Sequence, residues 1–219
     1  MKCEAKLIAV TEPVVGTPAG GPEELVAFCA RVSSGRPYDE RHKDYDKLLR
    51  YCMKNKHWSI FEMANAVVEV KAPRDITRQL IRHRSFSFQE FSQRYSDDID
   101  FTEREIRLQD QKNRQNSIES DELDHEGWKE DVDYLTEKTE HLYKDWLEQG
   151  VAKECARSIL PEGLTMSTLY VNGNLRSWVT YLQVRDDPGV SQAEHVILAR
   201  KIKQALLPAF PKIIGASVL

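Results

Sequence analysis

Hydrophobic residues recur along the chain at the spacings of both strands and helices. Short apolar runs at 5–10, 66–71 and 164–171 are typical of strands with a covered face. Elsewhere, apolar residues return every three or four positions, which is the spacing of one helical face. This spacing predicts helices at 23–32, 44–54, 74–82, 132–149, 153–159, 178–185 and 193–207. Several strands among longer helices predict an α+β domain.

The segments between these elements differ in character. Residues 85–96 alternate in type from one position to the next, so we predict an extended, ordered loop that projects alternate side chains to one side. Residues 97–131 are polar and acidic, which leaves open a mobile loop or an insertion that covers a site. Residues 172–174, Asn-Gly-Asn, predict a tight turn. The apolar tail at 208–219 is expected to pack on the body of the protein or on a partner subunit.

Composition then indicates the class of protein. The chain has 219 residues, which fits one domain, and 41% are hydrophobic and 30% charged, as in ordinary globular proteins. A net charge of −4 argues against a protein that coats nucleic acid. Four scattered cysteines and an N-terminus without an apolar signal region predict a reduced, cytoplasmic protein. No run is long and apolar enough to predict a membrane span.

The densest group of functional side chains lies at 79–96. It interleaves up to four cations, Arg82, His83, Arg84 and Arg94, with aromatic rings. Arginine binds phosphates and carboxylates bidentately and also stacks on ring systems, so this stretch suits an anionic ligand with an aromatic part. The alternative is a solvated helix end, because basic residues at that position complement the helix dipole.

A second group lies farther along the chain. Arg157 precedes a Leu-Pro break, Asn174 and Arg176 follow the predicted turn, and Arg185 precedes a Pro-Gly break. Each of these also has an ordinary structural interpretation, as a turn residue, a helix cap or a surface residue.

Several standard chemistries find no motif in this chain. It has no Gly-x-Gly-x-x-Gly turn, Walker loop, Gly-x-Ser-x-Gly elbow or His-Glu-x-x-His pair, and its histidines predict no metal site. Cys29, Cys52 and Cys155 stand among apolar residues of predicted helices, which argues against a cysteine nucleophile. The residues therefore favour an arginine-rich anion site in which a bound cofactor carries the chemistry.

The Arg-His-Arg motif at 82–84, followed after seven residues by Ser92, resembles the Arg-His-Arg-x7-Ser signature of flavin-dependent thymidylate synthases. The similarity continues through 93–96 and includes Gln79, three residues ahead of the motif. Shorter stretches resemble further motifs of that family: 30–33, 57–62, 157–161 and 174–177.

The resemblance implies a single domain, 1–219, with a central, mostly antiparallel sheet flanked by helices, in a homotetramer with active sites between subunits. It implies conversion of dUMP to dTMP, with a methylene group from 5,10-methylenetetrahydrofolate and a hydride from FAD that NADPH has reduced. Arg185 is the implied catalytic residue, which would stabilise negative charge on the uracil. The implied dUMP-binding residues are Gln79, Arg82, Glu90, Ser92, Arg94, Arg157 and Arg185. The implied FAD-binding residues are Ser33, His57, Ser59, Arg82, His83, Arg84, Glu90, Asn174, Arg176 and Thr180.

Two departures and two rival functions qualify this hypothesis. Thr180 and Gln89 stand where the family often has asparagine, so the flavin contact of Thr180 is open. A flavoprotein reductase without methyl transfer would bind FAD and ignore dUMP. A single-stranded nucleic-acid-binding module would stack bases on the aromatic and arginine residues of 82–95, although the acidic net charge and the second arginine group argue against it.

Overall fold

A four-stranded antiparallel sheet forms the centre of the computed structural model, which describes residues 1–35 and 44–216. Across the sheet, the strands are Glu4–Val10 (β1), Asn65–Pro73 (β2), Met166–Asn174 (β6) and Ser87–Glu90 (β3). A separate hairpin joins Leu108–Gln109 (β4) to Ser117–Ile118 (β5). The helices are Pro22–Ala30 (α1), Asp46–Lys54 (α2), Arg74–Ile81 (α3), His125–Glu148 (α4), Lys153–Ala156 (α5), Leu175–Arg185 (α6), Ala193–Leu206 (α7) and Pro211–Gly215 (α8). The predicted α+β class, with an antiparallel sheet flanked by helices, is confirmed.

The strands β2 and β6 form the centre of the sheet because β-branched and other apolar residues line one covered face of each. Val68 and Val70 of β2 are fully buried, and so are Leu169 and Val171 of β6. Val68 pairs with Val171 and Val70 with Leu169, so the two buried rows lie side by side. Valine suits such a pleated, half-covered surface because its branched side chain packs against neighbouring strands.

The core continues from the sheet into two long helices. Trp178 and Tyr181 of α6 and Leu198 and Ile202 of α7 are fully buried against it. This packing holds α6, which carries several of the predicted site residues, directly against the sheet. Within the described ranges, no helix combines the length and apolar character that a membrane crossing requires.

The C-terminal segment packs on the body, as predicted, through Ile213 and Ile214 of α8, which are fully buried. Glu23 of α1 accepts the backbone N–H groups of Lys212 and Ile213 at 2.8 and 2.7 Å. These bonds satisfy donors that the first turn of a helix leaves unpaired. Burial raises the pKa of Glu23 despite them. The part of the tail at 217–219 lies outside the described residues.

One loop prediction was wrong, and a second was correct only in its extended backbone. Residues 172–174 are not a tight turn: they are the last residues of β6, and Gly173 pairs with Ala66 of β2. Strand and helix then join directly, because Asn174 caps α6 with its side chain. Residues 85–96 are not wholly a loop either, since β3 pairs with β6 and makes this stretch the edge of the sheet.

The polar segment at 97–131 is held to the body at several points, as an insertion would be. Thr102 donates its backbone N–H to the carbonyl of Leu164 at 2.9 Å. The segment also contains the β4–β5 hairpin, and α4 begins at His125 rather than at the predicted residue 132. The earlier start follows from Asp124, whose carboxylate accepts the N–H of Gly127 and caps the helix.

Two side chains also differ from the prediction. The apolar repeat predicts Val184 on the buried face of its helix, but it is 40% exposed near the end of α6. The apolar neighbours of Cys155 predict burial, but this cysteine is exposed. Both lie close to helix ends, where the apolar repeat no longer reports which face is covered.

Gly173 allows the close approach of Phe86, and this predicts the effect of its substitution. A Cβ at Gly173 would lie 2.2 Å from Cδ1 of Phe86, whose ring packs against Trp178 at 4.4 Å between centroids. Gly173→Ala should lower the free energy of unfolding by about 1–3 kcal/mol, measured by urea titration. Gly163→Ala is the matched control, because a Cβ added there would have no atom within 4 Å. Equal stability of the two variants would contradict the packing argument.

Candidate active site

The Arg-His-Arg motif lies where α3 ends and the chain turns toward β3. Arg82 is the C-cap of α3, and the N–H of His83 bonds to the carbonyl of Leu80 at 3.0 Å. A further bond of 3.2 Å from the N–H of Phe86 to the carbonyl of His83 closes the turn. Arg82 and Arg84 are exposed, whereas His83 is half-buried. The turn therefore directs the two cations outward and places the imidazole against the core.

The contact between α3 and α6 joins two of the predicted site residues. Arg185, the last residue of α6, donates from Nε to Nε2 of His83 at 3.0 Å. Because Nε2 accepts this bond, His83 is neutral and carries its hydrogen on Nδ1. Burial and the neighbouring charge of Arg185 both lower the pKa of His83, consistent with that state. The resemblance assigned His83 to FAD and Arg185 to dUMP, and the structure places them in contact.

Arg185 is a half-buried cation, and it has no ordinary counterion in the described part of the chain. Burial lowers its pKa, and the charge of Arg82 adds to the effect. Within 1–35 and 44–216, no carboxylate forms an ion pair with Arg185. A partly desolvated guanidinium of this kind favours an anion, or a group that gains negative charge during a reaction.

Gln79 is positioned by residues that the sequence did not point to. Its Nε2 donates to Gln192 at 2.7 Å, and its Oε1 accepts from Nδ1 of His195 at 3.1 Å. Gln192 and His195 lie at the start of α7, whose apolar repeat reads as an ordinary amphipathic helix. The one signal in the sequence for this contact was a histidine, His195, at an apolar position of that repeat.

An arginine-rich cavity of about 470 Å³ lies beside the 3₁₀ turn Arg157–Ile159. Arg157 lines it, and among the described residues no hydrogen bond or ion pair engages its side chain. Arg94 donates to Glu154 at 3.1 Å, and this carboxylate also lines the cavity. The cavity thus combines an uncommitted guanidinium with carboxylate-paired ones, and Arg74 and Arg78 in its wall are residues that the sequence analysis did not select.

Glu90 and Ser92 connect the edge of the sheet to this cavity. Glu90 ends β3, and its Oε1 accepts from Ser167 of β6 at 2.9 Å. Two residues on, Oγ of Ser92 accepts the backbone N–H of Arg94 at 3.3 Å. This bond turns the chain away from the strand, so that Arg94 reaches Glu154.

A larger and mainly apolar cavity of about 630 Å³ contains Ser33 and Ser59. Its other walls are Phe28, Cys29, Ala30, Arg31, Val32, Ile60 and Met63. Ser33 also donates to the carbonyl of Ala30 at 2.9 Å, so its hydroxyl is both a helix-end group and a cavity group. His57 instead contacts the ring of Tyr51 edge-on, with 5.7 Å between centroids.

The predicted flavin residues of α6 lie along its first turns. Oδ1 of Asn174 accepts from the N–H and the hydroxyl of Ser177, each at 2.9 Å. Arg176 donates to Glu62 at 2.5 Å, which joins α6 to the 3₁₀ helix Trp58–Glu62. Thr180 donates its hydroxyl hydrogen to the carbonyl of Arg176 at 2.8 Å. Its donor is therefore used within the helix.

These contacts sort the predicted residues into neighbouring groups. Gln79, His83 and Arg185 lie between α3, α6 and α7; Arg94 and Arg157 lie beside the arginine-rich cavity; Ser33 and Ser59 share the apolar cavity.

Comparison with known proteins identifies this arrangement. Residues 15–212 match the family described as Thymidylate synthase complementing protein. A probable flavin-dependent thymidylate synthase of Paramecium bursaria Chlorella virus 1 is 44% identical over 215 residues, 97% of each chain. The flavin-dependent thymidylate synthase of Synechocystis sp. is 42% identical over 217 residues, 97% of this chain and 98% of the relative.

A solved structure agrees with these relatives. The UMP/dUMP methylase PolB from Streptomyces cacaoi, bound with 5-Br UMP, superimposes with a TM-score of 0.80 and 26% identity. The superposition covers 98% of this chain and 93% of PolB. With a family match across most of its length and relatives that are similar from end to end, this chain belongs to the flavin-dependent thymidylate synthase family.

Proposed function

We propose that this protein converts dUMP to dTMP, with 5,10-methylenetetrahydrofolate as the methylene donor and NADPH-reduced FAD as the hydride source. The observation that carries the proposal is the half-buried guanidinium of Arg185, held against a neutral histidine. Relatives named flavin-dependent thymidylate synthase and a dUMP-methylating structural neighbour support the choice of reaction.

The residues around the apolar cavity fit FAD. Its volume of about 630 Å³ lies within the range of roughly 300–1,000 Å³ typical of ligand pockets. Ser33 and Ser59 offer hydroxyls beside apolar walls, and Arg176 is tied to the same 3₁₀ helix as Ser59. We assign these residues to holding FAD, together with Arg82, His83 and Arg84 at the end of α3. When bound, FAD supplies the hydride that completes the methyl group.

Arg185 would stabilise the uracil as its ring gains electron density. Its charge is already partly desolvated, so little reorganisation is needed when negative charge develops nearby. His83 fixes the Nε side of the guanidinium and leaves the two Nη groups to face the substrate. Because His83 is a neutral acceptor here, it orients Arg185 without cancelling its charge.

The arginine-rich cavity suits the phosphate of dUMP. Arg157 offers an uncommitted fork of donors, which matches the geometry of phosphate oxygens. Arg94 would contribute a second fork, with Glu154 as a competing acceptor at 3.1 Å. Glu90 and Ser92 connect this cavity to the sheet edge, and we assign both to the dUMP site.

We infer a homotetramer with active sites between subunits, as the family resemblance implies. The exposed apolar residues of α4 support an interface on this helix: Trp128 is 40%, Tyr134 71% and Trp146 46% exposed. Large apolar side chains on one element of a protein surface are typical of protein–protein contacts.

Visible absorption spectroscopy tests the proposed function most directly. The protein should bind added FAD, and the flavin absorbance should bleach on anaerobic addition of NADPH. Addition of dUMP should change the rate of bleaching or the spectrum, because both ligands would occupy one site. Failure to bind FAD would contradict the synthase and reductase hypotheses together. Bleaching without dTMP formation, when methylenetetrahydrofolate is also present, would leave only the reductase.

Substitution of Arg185 tests its assigned role. Arg185→Ala should lower the rate of dTMP formation by at least about 100-fold, the usual cost of removing a group that stabilises developing charge. FAD occupancy, measured by flavin absorbance after gel filtration, should not change. Arg200→Ala is the control, since Arg200 lies on α7, is exposed and pairs with Asp186 at 2.8 Å. Near-normal turnover of Arg185→Ala would show that this role is wrong.

Substitution of Arg157 tests the phosphate assignment. Arg157→Ala should weaken dUMP binding about 10- to 100-fold, because a hydrogen bond to a charged group contributes roughly 1.5–3 kcal/mol. Calorimetry with deoxyuridine provides the comparison, since this ligand lacks the phosphate and its weaker binding should be unaffected. A similar loss for both ligands would place Arg157 away from the phosphate.

A further inference from the structure

A continuous chain of hydrogen bonds runs from α6 through α7 and α3 to the polar segment. Tyr181 contacts His195 (Oη to Nε2, 3.1 Å), and Nδ1 of His195 contacts Gln79 (3.1 Å). Gln79 donates to Gln192 (2.7 Å), which donates to Glu194 (2.8 Å). Tyr181 and His195 are fully buried and Glu194 is 4% exposed, so water cannot readily replace these partners. Arg107 of the polar segment closes the chain by donating to Glu194.

Glu194 sets the direction of every bond in this chain. Burial alone would raise the pKa of Glu194, but hydrogen bonds, the largest from Arg107, outweigh it and lower this pKa. An ionised carboxylate can only accept, so Gln192 must turn its Nε2 toward Glu194 and its Oε1 toward Gln79. Gln79 must then present its Nε2 to Gln192.

The same logic fixes the tautomer of His195. Since Oε1 of Gln79 is an acceptor, Nδ1 of His195 carries the hydrogen that it receives. Nε2 is then free to accept the hydroxyl hydrogen of Tyr181. Burial, with smaller contributions from the charges of Arg185 and His83, lowers the pKa of His195 to about 3. The imidazole is therefore neutral, as the chain requires.

The chain is also anchored to the start of the helix that carries Gln79. Arg104 of the polar segment pairs with Asp75 in the first turn of α3 and lies 3.9 Å from Glu194. Trp128 donates its indole N–H to the carbonyl of Arg104 at 2.8 Å. The polar segment thus holds both the first turn of α3 and, through Glu194 and Gln192, the side chain of Gln79.

We propose that His195 and Gln192 are positioning residues that lock the amide of Gln79 in one orientation, in which its second Nε2 hydrogen is offered to an oxygen of the substrate. This inference rests on the proposed function for the identity of that substrate, dUMP. A rotated amide would present Oε1 to the same oxygen and repel it. Glu194 and Arg107 determine the orientation of the Gln79 amide without contacting it. The residues of this hydrogen-bond chain position the substrate and form no covalent bond with it.

Two nearly isosteric substitutions separate this role from simple packing. Asparagine at 195 keeps a donor at the position of Nδ1, whereas leucine has the same branching and no donor. His195→Leu should weaken dUMP binding about tenfold, because one neutral hydrogen bond and the fixed amide are lost. His195→Asn should stay within about twofold of the native protein. Binding of FAD, measured in the same samples, should be equal in both variants.

Each outcome discriminates among the hypotheses. Equal dUMP affinity of the leucine and asparagine variants would overturn the positioning role, and so would an equal loss in both. If the native protein binds FAD but not dUMP, the proposed function fails before the variants are compared. Arg200→Leu is the control on the same helix, because Arg200 is exposed and pairs with Asp186 rather than with any group of the hydrogen-bond chain.

A measurement on the native protein covers the case in which His195→Leu does not fold. The ¹⁵N shifts of the His195 ring, recorded in selectively labelled protein, should show the neutral Nδ1–H tautomer from about pH 5 to pH 8, where an unperturbed histidine titrates. An Nε2–H tautomer, or a titration within that range, would reverse the deduced bond directions and overturn the proposal. Gln192→Met should reproduce the dUMP loss of His195→Leu, because it frees the other side of the Gln79 amide.

Discussion

The pairing of β2 with β6 is the constraint on which the site depends. Each strand is nine residues long, and each runs directly into a helix, α3 after Pro73 and α6 after Asn174. Asn65 pairs with Asn174 and Pro73 with Met166, so the two helices start at opposite ends of the ladder. Their carboxyl ends then meet, where Arg185 contacts His83. Helix carboxyl ends carry partial negative charge, which stabilises the cationic side chains placed there. The same cations form the anion site.

Burial affects the arginines and the histidines of this site differently. An arginine keeps its charge when partly desolvated, since its pKa starts far above neutral pH. Burial lowers the pKa of both His83 and His195, which makes them neutral groups with one donor and one acceptor each. One orients Arg185 and the other orients Gln79. Under the same desolvation, the arginines therefore provide fixed charge and the neutral histidines provide fixed hydrogen-bond directions.

The sequence predicted what depends on local periodicity and short motifs. The α3 and α7 repeats and the valine-rich run of β2 were sufficient to place those elements, and the Arg-His-Arg motif located the end of α3. Some failures were local, such as the start of α4, but those at the site concern mainly contacts between distant segments. Asn-Gly-Asn resembles a turn, but the glycine accommodates Phe86 and the following asparagine caps a helix. The link from Gln79 to His195 spans 116 positions, and no local pattern encodes such a contact.

The arginines of the site differ in what they can contribute, and the difference lies in their present partners. Arg94 and Arg176 are each already paired with a carboxylate. Arg94 lies 3.1 Å from Glu154, and Arg176 lies 2.5 Å from Glu62. An anion that binds to either arginine replaces the carboxylate as acceptor, so the gain in binding free energy is small. The orientation of the guanidinium is already fixed by the existing pair. Arg157 has no carboxylate partner in the described part of the chain, and an anion bound there gains the full charge-assisted interaction. Affinity should therefore come mainly from the unpaired arginines, and geometric selectivity from the paired ones.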